Sequence, residues 1–479
     1  MEKTDDQNQI LNEASLTVAR TALPQTHTLS LGERFVSGKA LRKECGRKLH
    51  AVWAPPSDRV DPIDLLEQDN QGRIEELIPI RFGRMAANPF AFFRGAASIM
   101  AYDLARTPST DLKLVICGDC HLLNFGGFAT AERKTIFDIN DFDETSIAPW
   151  EWDLKRLVTS FVIAGRFNSF SQEDCRMAAW QAAKSYRTTM INLASMPVLQ
   201  AWYYAMDLEL IINSISNPKV KKFYTKKLLD ARTESEHEKE FAKLAFIAGD
   251  SPRIIDHPPL IFHYDDNRSD QFRKNSEKSL SDYISSLAPE RRVLLSRFKL
   301  ADVAVKVVGV GSVGTFCGIA LLISGNGDPL FLQFKQTKQS VLEPYAGPSP
   351  FSHPGQRVVV GQRLMQAASD MFLGWYTSSG EPKTTYYVRR LRDAKIKPVV
   401  ELMAAPNMAN YAELCGETLA RAHSRSGDAA VLAGYMGKSS SFEDALAEFG
   451  IAYADQNELD HAALLEAIRA GRIEAEFES

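Results

Sequence analysis

The stretch "LVICGDCHLLNFGG", residues 114–127, supports two different interpretations. It contains Cys117-Gly-Asp-Cys120 after an apolar run, which is the spacing of a CxxC redox motif. It also contains Gly118-Asp119-x-His121-x-x-Asn124, which is the pattern of a phosphotransferase catalytic loop. The two interpretations require different partners elsewhere in the chain, so the rest of the sequence can discriminate between them.

Composition limits the classes of protein to consider. The chain has 479 residues, of which 45% are hydrophobic and 24% are charged, as in ordinary globular proteins. Its formal net charge of -4 creates no global field that would attract nucleic acid or an anionic membrane. The sequence begins with no basic segment followed by an apolar core, and no apolar run reaches the roughly 18–20 residues of a membrane span. We therefore expect a cytoplasmic protein with no nucleic-acid and no membrane partner.

The cysteines argue against the redox interpretation. The chain has six cysteines, too few for a disulfide framework, and its single CxxC has no second half for a zinc site. A thioredoxin-like CxxC begins a helix inside a small βαβ unit. Here the following residues, "HLLNFGGF", contain an asparagine and two glycines and begin a helix poorly. The simpler expectation is two small buried residues that flank a loop.

Hydrophobic periodicity divides the chain into four parts and predicts an α+β fold. The third part alternates β-branched strands with a hairpin turn at Asn326-Gly327 and one helical segment, whereas the second and fourth are mainly helical. The predicted parts are an N-terminal extension (1–75), a mostly helical lobe that carries the catalytic loop (76–295), a small β-rich nucleotide-binding lobe (296–400), and C-terminal helices that pack back on the large lobe (401–479).

A glycine-rich segment, Gly309-x-Gly311-x-x-Gly314, follows a predicted strand. A dinucleotide-binding fold requires a helix after such glycines, but "TFCGIALLIS" is strand-like. Kinases instead place the glycine loop between two antiparallel strands and a lysine on the third strand, and here "PLFLQFK" ends in Lys335. Taken alone, this segment fits a glycine-rich turn with a surface lysine equally well.

The acidic loop supplies the other groups that phosphoryl transfer needs. This chemistry depends on a carboxylate that orients the acceptor hydroxyl and on oxygen ligands that hold Mg²⁺ against the phosphates. Asp119 and Asn124 lie five residues apart on one loop, as the base and the amide ligand of kinase-like enzymes do. Asp141-Phe142-Asp143 follows at the end of an apolar strand, and Asp141 has the strand position of a metal ligand.

These motifs resemble the catalytic loop of aminoglycoside phosphotransferases and choline kinases, within the protein-kinase-like superfamily. "INDFDE" resembles their metal strand, and "APWEWDL" resembles the start of the helix that follows. The resemblance implies that Asp153 braces the catalytic loop and that His121 shapes it. Over residues 31–470 the chain also resembles a bacterial family of unknown function placed in this superfamily, which implies a two-lobed kinase-like fold but no substrate. Cys117 stands where the family usually has His or Arg.

The order of the motifs differs from that of ordinary kinases. The catalytic loop precedes the glycine-rich lobe, and the helix "YAELCGETLARAHSRSG", which resembles the one that normally leads into the catalytic loop, follows that lobe. A circular permutation explains both facts, because permutation keeps the contacts and moves only the chain ends.

Two assignments concern charged partners. Between Lys335 and residue 381 only Glu343 and Asp370 are acidic, and Glu343 is taken as the ion-pair partner of the lysine. A missing partner would indicate a pseudoenzyme. A group of arginines in "PIRFGRMAANPFAFFRGAA" suggests either phosphate binding or, as the simpler expectation, pairing with carboxylates. These arginines are Arg81, Arg84 and Arg94.

The sequence therefore predicts an ATP- and Mg²⁺-dependent phosphotransferase that acts on a small-molecule or protein hydroxyl. Asp119 would deprotonate the acceptor, Asn124 and Asp141 would hold the metal, and Lys335 with the 309–314 loop would hold phosphates. Two alternatives stay open: a nucleotide-binding pseudokinase or regulatory module, and transfer of a nucleotidyl group. A CxxC redox protein is the least favoured.

Overall fold

The protein is described from a computed structural model, and its helices and strands confirm the α+β class. Gly311 and the first 27 residues of the predicted extension lie outside the described residues. No helix in the described part of the chain is both long and apolar enough to cross a membrane. The described residues are 28–234, 241, 243–248, 251–258, 260–264, 268–307, 309, 313–391 and 396–477.

Short helices precede the first strand. Ser30 and Glu33 form a capping box on the first of them, and Asn88 caps the fourth ahead of a proline at its first position. The sequence pattern predicts one helical segment over 90–105, but two helices form because Ala96 leaves the helical conformation, with φ -110° and ψ 35°. The helices are α1 (Leu31–Ala40), α2 (Pro62–Asp69), α3 (Ile78–Ala86), α4 (Pro89–Gly95) and α5 (Ala97–Leu104).

Four strands then position the acidic loops. They are β1 (Lys113–Ile116), β2 (Phe125–Ala129), β3 (Thr135–Ile139) and β4 (Ser146–Pro149). β1 pairs antiparallel with β4, so that Ile116 faces Ser146, and β2 pairs antiparallel with β3, so that Phe125 faces Ile139. The two loops between these paired ends, 117–124 and 140–145, are therefore held side by side.

Helices complete this half of the molecule. Ser171 caps the longest of them through the backbone N–H of Asp174. The elements are α6 (Glu151–Phe167), α7 (Gln172–Ser195), α8 (Val198–Tyr203), β5 (Met206–Asp207), α9 (Leu208–Ser214) and α10 (Pro218–Glu234).

The largest sheet in the described chain has six strands and lies within residues 261–390. Its strand order is β12-β13-β11-β10-β9-β8, and all of the pairings are antiparallel. The predicted hairpin at Asn326-Gly327 is confirmed, because it joins β10 to β11 and Gly327 has φ +88°. The elements are β6 (Ala245–Ala248), β7 (Ser251–Ile254), β8 (Ile261–Phe262), α11 (Arg268–Ser285), α12 (Pro289–Leu295), β9 (Phe298–Lys306), β10 (Cys317–Ser324), β11 (Pro329–Thr337), α13 (Glu343–Ala346), α14 (Pro354–Met365), β12 (Gly374–Thr377) and β13 (Thr385–Arg390).

The C-terminal helices return to the first half of the chain. They are α15 (Ala405–Ser426), α16 (Ala429–Met436) and α17 (Ser441–Arg469). α15 packs along α7, α17 packs on α6 and α7, and α16 packs on α1. Gly416 allows α15 to approach α7 closely, because a Cβ there would lie 2.1 Å from the carbonyl oxygen of Ala182. The main hydrophobic core lies among these helices and around β1–β4.

Candidate functional site

The loop between β1 and β2 turns sharply at Gly118. Its φ of +86° is a conformation that favours glycine, and a Cβ would lie 2.2 Å from the carbonyl oxygen of Glu144. The loop ends in a short 3-10 turn over Leu122–Asn124 before β2 begins. Glycine is thus required where the chain passes beneath the acidic segment.

Asp153, in the first turn of α6, accepts hydrogen bonds from the backbone of this loop. Its Oδ2 accepts the backbone N–H of Cys117 at 2.8 Å and its Oδ1 accepts that of Gly118 at 2.8 Å. His423 Nε2 lies 3.2 Å from Oδ2, and the Asp153 side chain is fully buried. The resemblance implied that Asp153 braces the loop, and its carboxylate contacts the loop backbone directly.

Asp119 lies in the loop between β1 and β2, is partly exposed and is ion-paired. Arg156 Nε donates to its Oδ1 at 2.6 Å, and Asn124 Nδ2 donates to its carbonyl oxygen at 2.7 Å. Burial raises the pKa of Asp119 above its ordinary value, although Arg156 and Arg94 oppose this. Sequence reasoning missed Arg156, whose only signal is its position three residues after Asp153 on one helix.

His121 shapes the loop. Its Nδ1 accepts the backbone N–H of Leu123 at 3.2 Å, and its Nε2 lies 3.7 Å from Asp119 Oδ2. Burial, together with Arg156, Arg94 and Lys397, lowers the pKa of His121 well below its ordinary value. The imidazole is therefore neutral at physiological pH.

Asp141 and Asp143 lie on the adjacent segment. Asp141 Oδ1 accepts the backbone N–H of Asp143 at 3.2 Å. Burial and the neighbouring Asp143 raise the pKa of Asp141. Burial also disfavours the charged form of Asp143, but Lys335 and Arg389 hold the pKa of Asp143 below its ordinary value. Asp143 is the better ionised of the two carboxylates.

Lys335, near the end of β11, forms an ion pair with Asp143. Burial disfavours its charge, but Asp143, Tyr387 and Asp141 together raise the pKa of Lys335. Glu343, the partner suggested from sequence, instead begins α13 with its Oε1 3.6 Å from Arg357 Nε. Asp143 was not predicted as the partner because it lies 192 residues before Lys335, whereas the candidates considered all follow the lysine in the chain.

The glycine-rich segment connects the antiparallel strands β9 and β10. Gly309 and Gly314 have φ of +76° and +83°, while Gly311 lies outside the described residues. The carbonyl oxygen of Gly314 accepts the backbone N–H of Ile74 at 2.8 Å. Residues that precede the 117–124 loop therefore hold this segment.

The three arginines of the 79–97 stretch have separate surroundings. Arg81 is fully buried and donates to Asp69 at 2.6 Å, as the simpler expectation had it. Arg84 donates to the carbonyl oxygen of Gly309. Arg94 is half-buried, and its Nε has no hydrogen-bond partner among the described residues. Of these three arginines, Arg94 is the one whose charge acts on Asp119.

Arg389 is a further cation of the site. It lies in β13, where its Nε donates to Gln333 Oε1 at 3.1 Å. Burial disfavours its charge, but Tyr387, Asp141 and Asp143 raise the pKa of Arg389. Its Nη1 also donates to the carbonyl oxygen of Asn140 at 3.4 Å, so the guanidinium lies beside the acidic segment.

The two loop cysteines are buried and reduced. Burial raises the pKa of Cys120 to about 11 and that of Cys117 well above its ordinary value. Cys117, Cys120 and Asp153 lie close enough to share a metal ion, but both oxygens of Asp153 already accept backbone N–H groups. Neutral buried thiols are weak nucleophiles, which disfavours the redox interpretation.

Comparison with protein families assigns residues 73–467, most of the chain, to an uncharacterized family conserved in bacteria, DUF2252. The chain belongs to this family. No curated protein and no solved structure matches it.

Proposed function

We propose that this protein is an ATP- and Mg²⁺-dependent phosphotransferase with a circularly permuted kinase-like fold. One observation carries the proposal: Lys335 of the small sheet and Asp143 of the acidic segment form an ion pair beside Asp141. Groups 192 residues apart thus meet in the combination that binds nucleotide phosphates and metal in kinase-like enzymes.

The order of elements supports this fold. A glycine loop between β9 and β10, a lysine on β11, and the helix α14 followed by two more strands are the parts of a kinase small lobe. The loops after β1 and β3, followed by α6, correspond to the catalytic half. The elements of the catalytic half precede those of the small lobe in the chain.

A contact at the end of α15 supports the permutation. Ser426 Oγ donates to the carbonyl oxygen of Val115 in β1 at 2.8 Å, and Gly427 lies against Leu114. The helix end and the strand that leads into the catalytic loop are adjacent in space, although 311 residues separate Val115 from Ser426. In an unpermuted chain the helix would continue into this strand.

The donor set fits a divalent cation. Asp143 Oδ1 is a buried oxygen with no hydrogen-bond partner among the described residues, and Asp141 lies next to it. Asn124 uses its amide nitrogen on Asp119, which leaves the amide oxygen for a cation. Carboxylate and amide oxygens are the ligands that Mg²⁺ prefers. Bound Mg²⁺ would neutralise phosphate charge, and the carboxylates of Asp141 and Asp143 would lose their mutual repulsion.

The remaining roles follow from the contacts. Asp119 orients the acceptor hydroxyl and takes its proton, because it is the carboxylate of the loop that lies outside the metal set. Arg156 fixes the position of Asp119, and Asp153 fixes the backbone of the loop. Lys335 and the glycine loop hold the phosphates of ATP.

One observation favours nucleotide binding without transfer. Asp119 is ion-paired with Arg156, and this pairing opposes the rise that burial causes in the pKa of Asp119. The carboxylate is therefore a weaker base than the same buried group would be without Arg156. In a regulatory module of this kind, ATP and Mg²⁺ would bind and no phosphoryl group would leave. The assays below separate the two functions.

The first experiment is a thermal-shift titration with ATP, with and without Mg²⁺. We compare wild type with Asp141→Ala and with Asp282→Ala, a matched control at an exposed aspartate of α11. A bound ligand raises stability with the logarithm of its saturation. We expect a Mg²⁺-dependent shift in wild type and control that is lost in Asp141→Ala. The absence of a shift in wild type would refute the proposal.

A second experiment identifies the group transferred. Wild type is incubated with ATP labelled on the γ-phosphate or on the α-phosphate, together with pools of hydroxyl compounds and cell protein. Label from the γ-phosphate alone on an acceptor supports phosphoryl transfer. Label from the α-phosphate would identify nucleotidyl transfer, and binding with no labelled acceptor would favour the regulatory module.

A further inference from the structure

The guanidinium of Arg156 links Phe93, the residue before Arg94, to Asp119 of the catalytic loop. Arg156 donates from Nε to Asp119 at 2.6 Å and from Nη2 to the carbonyl oxygen of Phe93 at 2.9 Å. The guanidinium is fully buried and lies over the Phe93 ring. The C-terminal turn of α4, which carries Arg94, is thereby held against Asp119.

The Arg94 guanidinium has no partner among the residues that the structure describes. Its Nε is buried, and Arg94 makes neither a hydrogen bond nor an ion pair with any residue that the structure describes. Burial lowers the pKa of Arg94, while the carboxylates of Asp119 and Glu401 oppose this. A buried N–H without an acceptor is unfavourable, more so on a charged group, so an anionic ligand here would be bound favourably.

Lys397 extends this cation cluster. The preceding residue, Ile396, pairs through both backbone groups with Gly127 of β2, at 2.8 and 2.9 Å. Lys397 is thus held beside the strand that leaves the catalytic loop, and within the described chain its ammonium forms no ion pair. The charges of Lys397 and Arg94 both act on His121.

The charges around the site are unevenly compensated. Arg156 pairs with Asp119, and Lys335 pairs with Asp143. Arg94 and Lys397 form no ion pair in the described chain. The carboxylates that act on them from a greater distance are Asp119 and Glu401 for Arg94, and Asp141 for Lys397. A cationic acceptor would meet repulsion at this end of Asp119, whereas an anionic acceptor would complete the pairing.

We propose that the acceptor carries an anionic group, a phosphate or a carboxylate, which Arg94 and Lys397 bind while its hydroxyl faces Asp119. This inference rests on the proposed phosphotransferase function and narrows its substrate class. It separates this protein from enzymes that act on aminoglycosides or choline, which are cations. A guanidinium can hold a phosphate or a carboxylate through two parallel hydrogen bonds, which makes Arg94 the orienting group.

The test uses inorganic phosphate as the probe of the anion subsite. The full-length protein is first saturated with Mg²⁺ and the non-hydrolysable β,γ-imido analogue of ATP, so that the γ-phosphate position is occupied. Phosphate binding is then measured by calorimetry on wild type, Arg94→Ala, Arg94→Lys and the control Arg297→Ala, an exposed arginine of the small lobe. Melting temperatures verify that each variant is folded.

We expect wild type and Arg297→Ala to bind phosphate equally. Arg94→Ala should weaken binding about tenfold or more, which corresponds to about 1.4 kcal/mol, and Arg94→Lys should be intermediate. Binding of the Mg²⁺–nucleotide analogue should be unchanged in all variants. Absence of phosphate binding to the nucleotide-saturated wild type would refute the anion subsite, as would weaker nucleotide binding in Arg94→Ala, since that would place Arg94 at the γ-phosphate.

An acceptor comparison provides an independent readout. ADP release with Mg²⁺-ATP is measured with glycerol 3-phosphate, glucose 6-phosphate and glycerate, and with kanamycin and choline. Stimulation by an anionic compound, with a raised KM for that compound and an unchanged KM for ATP in Arg94→Ala, supports the inference. Stimulation by kanamycin or choline alone would overturn it. Failure of Mg²⁺-ATP to bind would instead refute the proposed function itself.

Discussion

The ammonium of Lys335, on β11, forms an ion pair with the carboxylate of Asp143, on the segment after β3. The Lys335 side chain is 6% exposed and that of Asp143 is 26% exposed, so loss of either charge leaves the other poorly solvated. This pair joins the six-stranded sheet to the segment between β3 and β4.

Lys335→Met should destabilise the protein by about 3 kcal/mol, because the carboxylate of Asp143 would lose the ammonium with which it pairs. The double variant Lys335→Met/Asp143→Asn should recover most of this loss. Denaturant unfolding of the four proteins in a double-mutant cycle measures the coupling. Additive effects of the two substitutions would show that the pair does not contribute to stability. Mg²⁺-ATP should stabilise neither variant.

Asp153→Ala should lower the free energy of unfolding by about 2–4 kcal/mol, because two buried backbone N–H groups, of Cys117 and Gly118, lose their acceptor. Asp153→Asn should cost less, since its amide oxygen still accepts one of them. Chemical denaturation checks both values. The matched control is Asp282→Ala, which should change stability by less than about 0.5 kcal/mol. A loss for Asp153→Ala as small as that of the control would contradict the bracing role.

Arg156→Met should move the acid limb of the pH–rate profile to higher pH. The Arg156 cation opposes the rise that burial causes in the pKa of Asp119, so its removal lets that pKa rise further. Activity that needs ionised Asp119 is then lost earlier as the pH falls. The profile of kcat/KM for the acceptor is compared with that of Arg166→Met, an arginine of the same helix that pairs with exposed carboxylates. An unshifted profile would argue against Asp119 as the base.

Protein stability should fall as the pH is lowered below 6.5, in part because of His50. Burial lowers the pKa of His50 to about 3, and its Nε2 lies 2.7 Å from the hydroxyl of Tyr435. The unfolded chain binds a proton at this residue near pH 6.5 and the native protein does not, so lower pH favours unfolding. At pH 5 this one group should cost about 2 kcal/mol. His50→Gln should reduce the slope of stability against pH, whereas His257→Gln, at an exposed histidine, should not.

Cys117 and Cys120 should resist thiol reagents at pH 8 until the protein unfolds. Both side chains are no more than 1% exposed, and burial raises the pKa of both thiols, so little thiolate is present. Labelling kinetics in native and denaturing buffer measure this protection. Cys120→Ser should retain any Mg²⁺-dependent ATP shift. Rapid native labelling of this pair would favour the redox interpretation instead.

Local features were predictable from the sequence. The hairpin at Asn326-Gly327, the strands around it and the helix of 354–365 follow from turn chemistry and periodicity over a few residues. The break between α4 and α5 was not predictable, since Ala96 has a high helix propensity and only its surroundings make it leave the helix.

The candidate site also has residues that the sequence predicted and residues that it did not. The spacing of Asp119, Asn124 and Asp141 along the chain was sufficient to select the acidic groups, because strand pairing of β1 with β4 and β2 with β3 brings neighbouring loops together. Two of the cations that act on these groups, Arg156 and Arg389, were not recognised. Arg156 lies on a helix and Arg389 lies on a strand. The hydrophobic pattern of each element predicts which side is buried, but it does not predict which charged group an arginine will meet.

The sequence by itself determined the α+β class, the motif pattern of the acidic loop and the membership of a bacterial family. Only the tertiary structure decided that Lys335 pairs with Asp143 and that Ser426 meets Val115. The physical reason is the range of the forces involved. Backbone hydrogen bonds in turns and helices, and hydrophobic periodicity, involve residues that are close in the sequence, so a short segment is enough to predict them. An ion pair between residues 192 positions apart forms only after both halves of the chain have packed.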